Sequence, residues 1–198
     1  MEINSIIEQL MNKYTMAAVI IWICSLALKS PSTPWYQATF GIAFMHFWVY
    51  WVHRSLHYIP TDGIIGFLNT HIRFHHQFDK PIPRELELFF EVIIDLAMNL
   101  SLLLLEWLFN FYIIPVPIIV LFGIAYTSVH LINYSIIGNI FHRRHHTSIN
   151  KNYAPDIADH VFGTNYNEEM EDLVYTSLNA FWTMLVLYPL KEYLWWPK

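Results

Sequence analysis

The stretch Phe141-His142-Arg143-Arg144-His145-His146 places three histidines within five residues. Two earlier stretches have the same character, His53-Arg54-Ser55-Leu56-His57 and His71-Ile72-Arg73-Phe74-His75-His76. These three runs contain eight of the 11 histidines in the chain, and a ninth, His130, precedes the last run. Residues three or four positions apart share one face of a helix. Each run can therefore direct two or three imidazoles toward one point.

Histidines in this spacing indicate a metal site, because neutral imidazole is the commonest protein ligand for transition metals. It suits iron, zinc and copper. One ion takes about four to six ligands, so nine imidazoles are too many for a single ion. We predict two ions with about four or five ligands each. The predicted ligands are His53, His57, His71, His75, His76, His130, His142, His145 and His146.

The choice of metal follows less directly from the residues. Zinc is satisfied by about four ligands, whereas an all-nitrogen site without a thiolate also suits iron or copper. The one cysteine, Cys24, excludes an internal disulfide framework and a cysteine-rich metal site. Two ions beneath an apolar helix bundle favour redox chemistry on an apolar substrate, and a zinc-loaded, non-catalytic membrane protein is the alternative.

The composition is that of a membrane protein. Of the 198 residues 55% are hydrophobic and 14% charged, whereas soluble domains carry roughly 25% charged residues. The net charge of −5 does not favour nucleic-acid binding. We predict a single all-α domain over residues 1–198, an integral membrane bundle of about four transmembrane helices with a cytoplasmic, histidine-rich helical cap. The predicted spans are Tyr14–Leu28, Trp35–Val52, Leu86–Leu105 and Phe111–Val129.

Two segments outside the clear spans leave alternatives open. Residues 53–85 contain several prolines and glycines, so we expect short helices that carry the first two histidine runs. Leu173–Leu190 is uncharged, and Trp195 and Trp196 follow it. We expect this segment to lie along the membrane or to pack on the domain, with the tryptophans at the headgroup level, although a fifth span is also possible.

The third apolar run contains an acidic stripe. Glu87, Glu91 and Asp95 recur every four residues and therefore lie on one face of a helix. Acidic residues at membrane depth usually face the protein interior or a water-filled cavity. The alternative is that the helix enters the bilayer only after Asp95 and that the stripe is exposed to water.

The distribution of basic residues predicts the orientation in the membrane. With four spans, ten of the 11 lysines and arginines lie on the side that carries the histidine runs, and Lys29 lies on the other. If Leu173–Leu190 also spans, the count becomes eight against three. Either count places all the histidine runs in the cytoplasm by the positive-inside rule.

The ordered combination of motifs resembles the fatty acid hydroxylase superfamily, the membrane di-iron proteins that include sterol methyl oxidases, sterol C-5 desaturases and sphingolipid hydroxylases. The resemblance extends from about His46 to Asn165. The matching motifs are Tyr50-Trp51-Val52-His53-Arg54-Ser55-Leu56-His57 with Pro60, His71–His76 with Pro81, His130 with Asn133, His142–His146, Asn152-Tyr153, and Asp159-His160-Val161-Phe162-Gly163-Thr164.

The sequence departs from this family at several positions. His46 stands where the family commonly has Asp, and we predict a polar role beside the ligands for it, with a tenth ligand as the alternative. Ala154 replaces the usual Gly after Asn152-Tyr153, which predicts an altered turn, and Tyr134 stands where some members carry a histidine. His160 takes a variable position and is read as a non-ligand.

The resemblance implies an O2-dependent lipid hydroxylase with two iron ions, and a desaturase with the same site is the alternative. Zinc is expected to occupy the site in isolated protein. The implied substrate is a membrane lipid, and the implied electron donor is cytochrome b5 with its reductase. In a eukaryote, the endoplasmic reticulum is the expected membrane. Asn133 and Asp159 are candidates for residues that orient the imidazoles. The arginines of the cap are expected to contact lipid phosphates or to receive the acidic electron carrier. These are Arg73, Arg84, Arg143 and Arg144.

Overall fold

The computed structural model describes residues 15–76, 82–148, 150–166 and 174–195, and these residues form helices and loops without a β-strand. The helices are α1 Thr15–Leu28, α2 Trp35–Tyr58, α3 Gly63–Leu68, a first π-helix His71–His75, α4 Arg84–Phe109, α5 Val116–Ser128, a second π-helix Val129–Ile136, α6 Ile140–Thr147, α7 Asp156–Phe162, α8 Val174–Leu187, a 3-10 turn Tyr188–Leu190 and α9 Lys191–Leu194. The all-α fold class predicted from the sequence is confirmed for these residues.

Helices α1 and α2 form a hairpin whose connection contains Pro31 and Pro34. Pro34 has extended backbone angles and precedes the first residue of α2, so the proline ends the connection where the helix begins. Helix α2 then continues without interruption to Tyr58. The expectation that short separate helices carry the first two runs is therefore wrong for the first run, which lies on the last turns of this long helix.

Helices α4 and α5 form a second hairpin. Helix α4 ends at Phe109, and Asn110 closes it in the left-handed conformation with φ 48°. The buried Glu106 carboxylate accepts hydrogen bonds from the backbone N–H groups of Ile113 and Ile114, at 2.9 and 2.8 Å. These bonds fix the turn against the end of α4. Helix α5 begins at Val116. Pro117 lies in its first turn, where a backbone N–H has no acceptor within the helix.

The apolar core lies where α2, α4 and α5 meet. Helices α2 and α5 approach closely at Gly41, because a Cβ atom there would lie 3.1 Å from Ile114 and 3.2 Å from Ile118. The larger core cluster contains Ala38, Met45, Val49, Leu102, Ile114, Ile118, Ile119 and Phe122. This packing places the carboxyl end of α2 beside the amino end of α4, where the histidines lie.

Helix α8 packs along α1 and α5. A second core cluster joins these three helices through Cys24, Leu28, Leu121 and Leu187. Beyond α8, the indole N–H of Trp195 donates a 3.0 Å hydrogen bond to the carbonyl of Leu28. The segment thus packs on the domain, which is one of the three arrangements that the sequence leaves open, and the fifth span stays a prediction. Trp196 lies outside the described residues.

Two helices of the described chain are long and apolar enough to cross a membrane. They are Arg84–Phe109 and the continuous segment Val116–Ile136. Met16–Leu28 is apolar but shorter, and α2 has sufficient length without the same apolarity. Both helices of the second hairpin therefore have the length and apolarity that the predicted spans require, and the total of four spans stays a prediction.

Replacing Glu106 with alanine tests the anchor of the second hairpin. Glu106→Ala leaves two backbone N–H groups without their acceptor, so we expect the free energy of unfolding to fall by roughly 2 kcal/mol. Glu106→Gln keeps one oxygen acceptor and should lose less. Thermal unfolding of the two variants in the same detergent measures the difference. An alanine variant as stable as the original protein would contradict the assigned anchor.

Candidate metal centre

Five of the nine predicted ligands converge at one point, which we name site 1. One ring nitrogen from each lies within 4.8 Å of the corresponding nitrogens of the others. Site 1 consists of His53, His57, His71, His76 and His145. These residues come from the end of α2, the first π-helix with the residue after it, and α6. Three segments that are distant in sequence therefore meet around one position.

The remaining four histidines form a second group beside the first, which we name site 2. The ring nitrogens of His75, His130 and His142 lie within 4.8 Å of one another. His146 adjoins them, because its Nε2 atom is 2.9 Å from Nε2 of His142 and its ring is 4.5 Å from that of His75. Two groups of five and four imidazoles can each satisfy one ion. The assignment of all nine as ligands stays a prediction.

The first π-helix divides its histidines between the two sites. The N–H of His76 donates to the carbonyl of His71 at 3.2 Å, which is a bond between residues five positions apart. This wider turn lets His71 and His76 both face site 1, whereas His75 faces site 2. Short π-helical segments occur frequently at functional sites. The spacing of three or four residues used for the sequence prediction does not anticipate this division.

Helix α6 also contributes to both sites. Its N-cap residue Asn139 accepts hydrogen bonds from the N–H groups of Phe141 and His142, so the cap fixes where the helix begins. His145 then faces site 1, whereas His142 and His146 contribute to site 2. The first π-helix and α6 therefore connect the two sites directly.

Several of the imidazoles have buried ring nitrogens without a hydrogen-bond partner among the residues that the structure describes. His53 and His75 are 1% and 3% exposed, and both ring nitrogens of each have no hydrogen-bond partner within the described part of the chain. The same holds for both nitrogens of His76. An unpaired buried polar group costs about 1–3 kcal/mol. The all-nitrogen donor set fits iron or zinc, and a bound metal ion would satisfy one ring nitrogen of each imidazole.

The electrostatics of the cap keep these imidazoles neutral. Burial, followed by repulsion from the neighbouring His146, lowers the pKa of His57 from 6.5 to about 4. Burial, followed by repulsion from His130, lowers the pKa of His146 to about 4. The pKa values of His71 and His145 are also held well below the usual range, mainly by burial. The neutral form is the one that binds metal ions.

The acidic stripe of α4 faces the protein interior beside site 2. Glu91 and Asp95 are 1% and 2% exposed, and their carboxylate oxygens lie 2.8 and 3.1 Å from Nδ1 of His130. Glu87 pairs instead with Arg84 at 2.9 Å. Of the two sequence alternatives, burial is therefore the one found for Glu91 and Asp95. Their four-residue spacing was the signal, but nothing in the sequence connected them to His130.

The loop between α6 and α7 fixes the orientation of His145. Nδ1 of His145 donates to the carbonyl of Lys151 at 2.6 Å, which leaves Nε2 for site 1. Asp159 fixes this loop, since it accepts hydrogen bonds from the N–H groups of Tyr153 and Ala154 and from the Thr164 hydroxyl. Burial raises the pKa of Asp159 to about 6. Asp159 bonds no imidazole in the described residues, so any orienting role acts through the loop.

The other predicted residues near the ligands lie apart from both sites. Nδ1 of His46 bonds the Ile42 carbonyl at 2.7 Å, and its ring packs against Phe122 at 4.8 Å. Asn133 lies on the second π-helix, and among the described contacts none joins it to a histidine. His160 lies 3.6 Å from Asp156. The roles assigned to His46 and Asn133 beside the ligands stay predictions.

Two positions that depart from the family pattern have clear structural settings. Tyr134 stacks on His142, with ring centroids 5.2 Å apart, so this side chain packs against site 2 where some relatives carry another histidine. Ala154 has φ 53°, in the left-handed region that favours glycine. A glycine would adopt this conformation without strain. Ala154 adopts it while its backbone N–H donates a hydrogen bond to Asp159.

Acidification tests the neutrality of the imidazoles. Because the pKa values of His57 and His146 are about 4 instead of 6.5, protons displace a bound ion only at low pH. We expect the apparent affinity for Zn²⁺ to change little from pH 8 to about 5.5 and to fall below about 5. Chelator competition at a series of pH values, with circular dichroism to monitor folding, measures this. A steep loss between pH 7 and 6 would contradict the assigned burial.

Comparison with known proteins agrees with the site. The family model for fatty acid hydroxylases matches residues 38–164, a range that includes all nine histidines of sites 1 and 2. No match was found among curated proteins or among solved structures. The family consists of membrane-associated oxidoreductases of the lipid hydroxylase and desaturase type, with metal-binding histidines. Since the match covers more than half of the 198 residues, the chain belongs to the fatty acid hydroxylase family.

Proposed function

We propose that the protein is an O2-dependent hydroxylase that converts one unactivated C–H bond of a membrane lipid into an alcohol. The lipid class is a sterol, a sphingolipid or a fatty acyl chain. The observation that carries this proposal is the convergence of nine imidazoles, five of them buried, in two groups at one end of an apolar helix bundle. Site 1 and site 2 would each hold one iron ion.

The reaction consumes one O2, two electrons and two protons, and it yields an alcohol and one water molecule. A pair of iron ions at sites 1 and 2 would supply the activation of O2 and the removal of hydrogen from the C–H bond. The electrons come from an external donor, for which we propose cytochrome b5 and its reductase. The protein's own residues hold the ions, exclude water and position one C–H bond.

An aromatic wall keeps water away from site 1. The ring of Tyr153 lies 5.1 Å from that of His57 and 5.8 Å from that of His145. Behind it, Tyr50 packs against Tyr153 at 5.8 Å and stacks on Phe162 at 4.9 Å. Tyr50 and Tyr153 are 0% and 1% exposed. A dry site strengthens electrostatic interactions and limits side reactions of reactive oxygen species.

We further propose that both sites lie on the cytoplasmic side of the membrane. Ten basic residues lie on the side of the histidine runs in the four-span topology, against Lys29 alone on the other side. The list comprises Lys13, Arg54, Arg73, Lys80, Arg84, Arg143, Arg144, Lys151, Lys191 and Lys198. A cytoplasmic centre is accessible to a cytoplasmic electron donor, and in a eukaryote the endoplasmic reticulum is the membrane we propose.

Oxygen-isotope labelling of lipids tests the proposed reaction. Cells that express the protein are grown under ¹⁸O2, and their lipids are compared with those of cells lacking the gene. We expect a lipid that carries one ¹⁸O atom as a hydroxyl group. A new alkene without ¹⁸O would favour the desaturase alternative. Two zinc ions, no iron and no lipid product would favour a non-catalytic zinc-binding protein.

A pair of histidine variants tests the ligand assignment. His145→Ala removes a nitrogen from site 1, so we expect the hydroxylated lipid to disappear while the protein still inserts into the membrane. His160→Ala removes a histidine that belongs to neither site, and product formation should remain near the level of the original protein. Lipid analysis at matched protein levels measures both. Undiminished product in His145→Ala would count against site 1.

A further inference from the structure

Two buried carboxylates distinguish site 2 from site 1. Oε1 of Glu91 lies 2.8 Å and Oδ2 of Asp95 lies 3.1 Å from Nδ1 of His130. A ring nitrogen that faces two carboxylates carries the proton, so the lone pair of His130 is on Nε2. The rings of His142 and His75 lie 4.4 and 5.0 Å from that of His130. The carboxylates therefore fix the tautomer in which His130 offers Nε2 to site 2.

Site 1 has no comparable partner. Within the described residues, none of its five imidazoles lies within ion-pair distance of an Asp or Glu. His145 donates to a neutral backbone carbonyl, that of Lys151. The negative charge of α4 thus reaches site 2 through His130 and does not reach site 1 by any direct contact.

The position of Glu91 is itself supported by neighbouring groups. The hydroxyl of Ser135, on the second π-helix, donates to Glu91. The guanidinium group of Arg84 donates to the Ser135 carbonyl and pairs with Glu87. Helix α4 and the second π-helix are thereby joined at Ser135, five residues after His130. Such support reduces the freedom of the imidazole before any ion binds.

The charge of this pair also calls for a cation. Buried carboxylates at membrane depth are costly unless they are compensated. One imidazole carries at most one positive charge, which does not balance two carboxylates. A divalent ion on Nε2 of His130 would supply positive charge through the ring, and the carboxylates would in turn make the imidazole a stronger donor.

We infer that Glu91 and Asp95 are positioning residues for His130 and that they make site 2 the tighter of two unequal sites for divalent metal ions. This inference rests on the proposed pair of metal ions. For iron, the same negative charge favours the more oxidised ion at site 2. The two ions of this centre therefore differ in affinity and in reduction potential.

Titration of the metal-free protein with Co²⁺ under anaerobic conditions tests this inference, because the visible absorption of Co²⁺ reports its coordination. The original protein should bind two ions with distinct affinities. Glu91→Ala should weaken the tighter one by roughly 10–100-fold and leave the other unchanged. Glu91→Gln keeps an oxygen acceptor for Nδ1–H, so it should lose less. Glu85→Gln removes an exposed carboxylate from the first turn of α4, so it is the matched control and should bind both ions normally.

Measurements in a variant that lacks one site 2 ligand identify which site the carboxylates affect. His142→Ala removes a site 2 ligand, so the remaining ion reports site 1. Adding Glu91→Ala to that background should leave the remaining affinity unchanged. If Glu91→Ala does not fold, Ser135→Ala provides a milder change, since it removes only the hydroxyl donor to Glu91. Ser135→Ala should weaken the tighter ion a few-fold and leave the weaker ion unchanged.

Several results would overturn the inference. They are unchanged Co²⁺ binding in Glu91→Ala and in Ser135→Ala, equal weakening of both ions, and the same loss in Glu85→Gln. If the original protein binds two ions and the variants leave both affinities unchanged, only the role assigned to the carboxylates is contradicted. An original protein that binds no ion contradicts the proposed function as well, so the two failures can be distinguished.

Discussion

Nine imidazoles, five of them buried, lie together at one end of the helix bundle, and the rest of the structure holds them there. Each neutral ring has one N–H donor and one lone pair, and burial leaves many of these atoms without a protein partner. The Nε2 atoms of His57 and His71 are 3.1 Å apart, and those of His142 and His146 are 2.9 Å apart. Such close nitrogen pairs are suited to sharing a cation between them.

The helix bundle determines where these rings meet. The core between α2, α4 and α5 fixes the ends of three helices relative to one another, and Gly41 permits the close crossing. Two π-helices then change the angle between successive side chains around the helix axis. The first lets residues five positions apart face one site, and the second carries His130 toward α4. Local departures from α-helical geometry thus divide the nine predicted ligands into two groups.

Much of the site could be predicted from the sequence, because histidine spacing reports helix faces directly. All nine histidines predicted as ligands lie together. Burial of the acidic stripe is one of the two alternatives that the sequence offers. His46 shares an α-helical face with His53, but seven residues separate them by about 10.5 Å along the axis. His46 therefore lies deeper in the bundle and joins neither site. A shared helix face predicts that two side chains point in the same direction, whereas their separation along the helix axis determines whether they reach the same site.

Other features depended on information that no local pattern contains. The division of His71, His75 and His76 between two sites requires the π-helical turn, which the spacing of an α-helix does not reveal. The contact between Glu91 and His130 joins residues 39 positions apart and depends on how α4 packs against the second π-helix. The first histidine run was placed on a separate short helix because prolines and glycines follow it, yet α2 continues through the run to Tyr58.

Anomalous X-ray diffraction at the iron edge, on crystals of protein reconstituted with Fe²⁺ without oxygen, would locate the two proposed metal ions. We expect two peaks per chain. One should lie among the ring nitrogens of His53, His57, His71, His76 and His145, and the other among those of His75, His130, His142 and His146. A single peak, or peaks away from these histidines, would contradict this expectation.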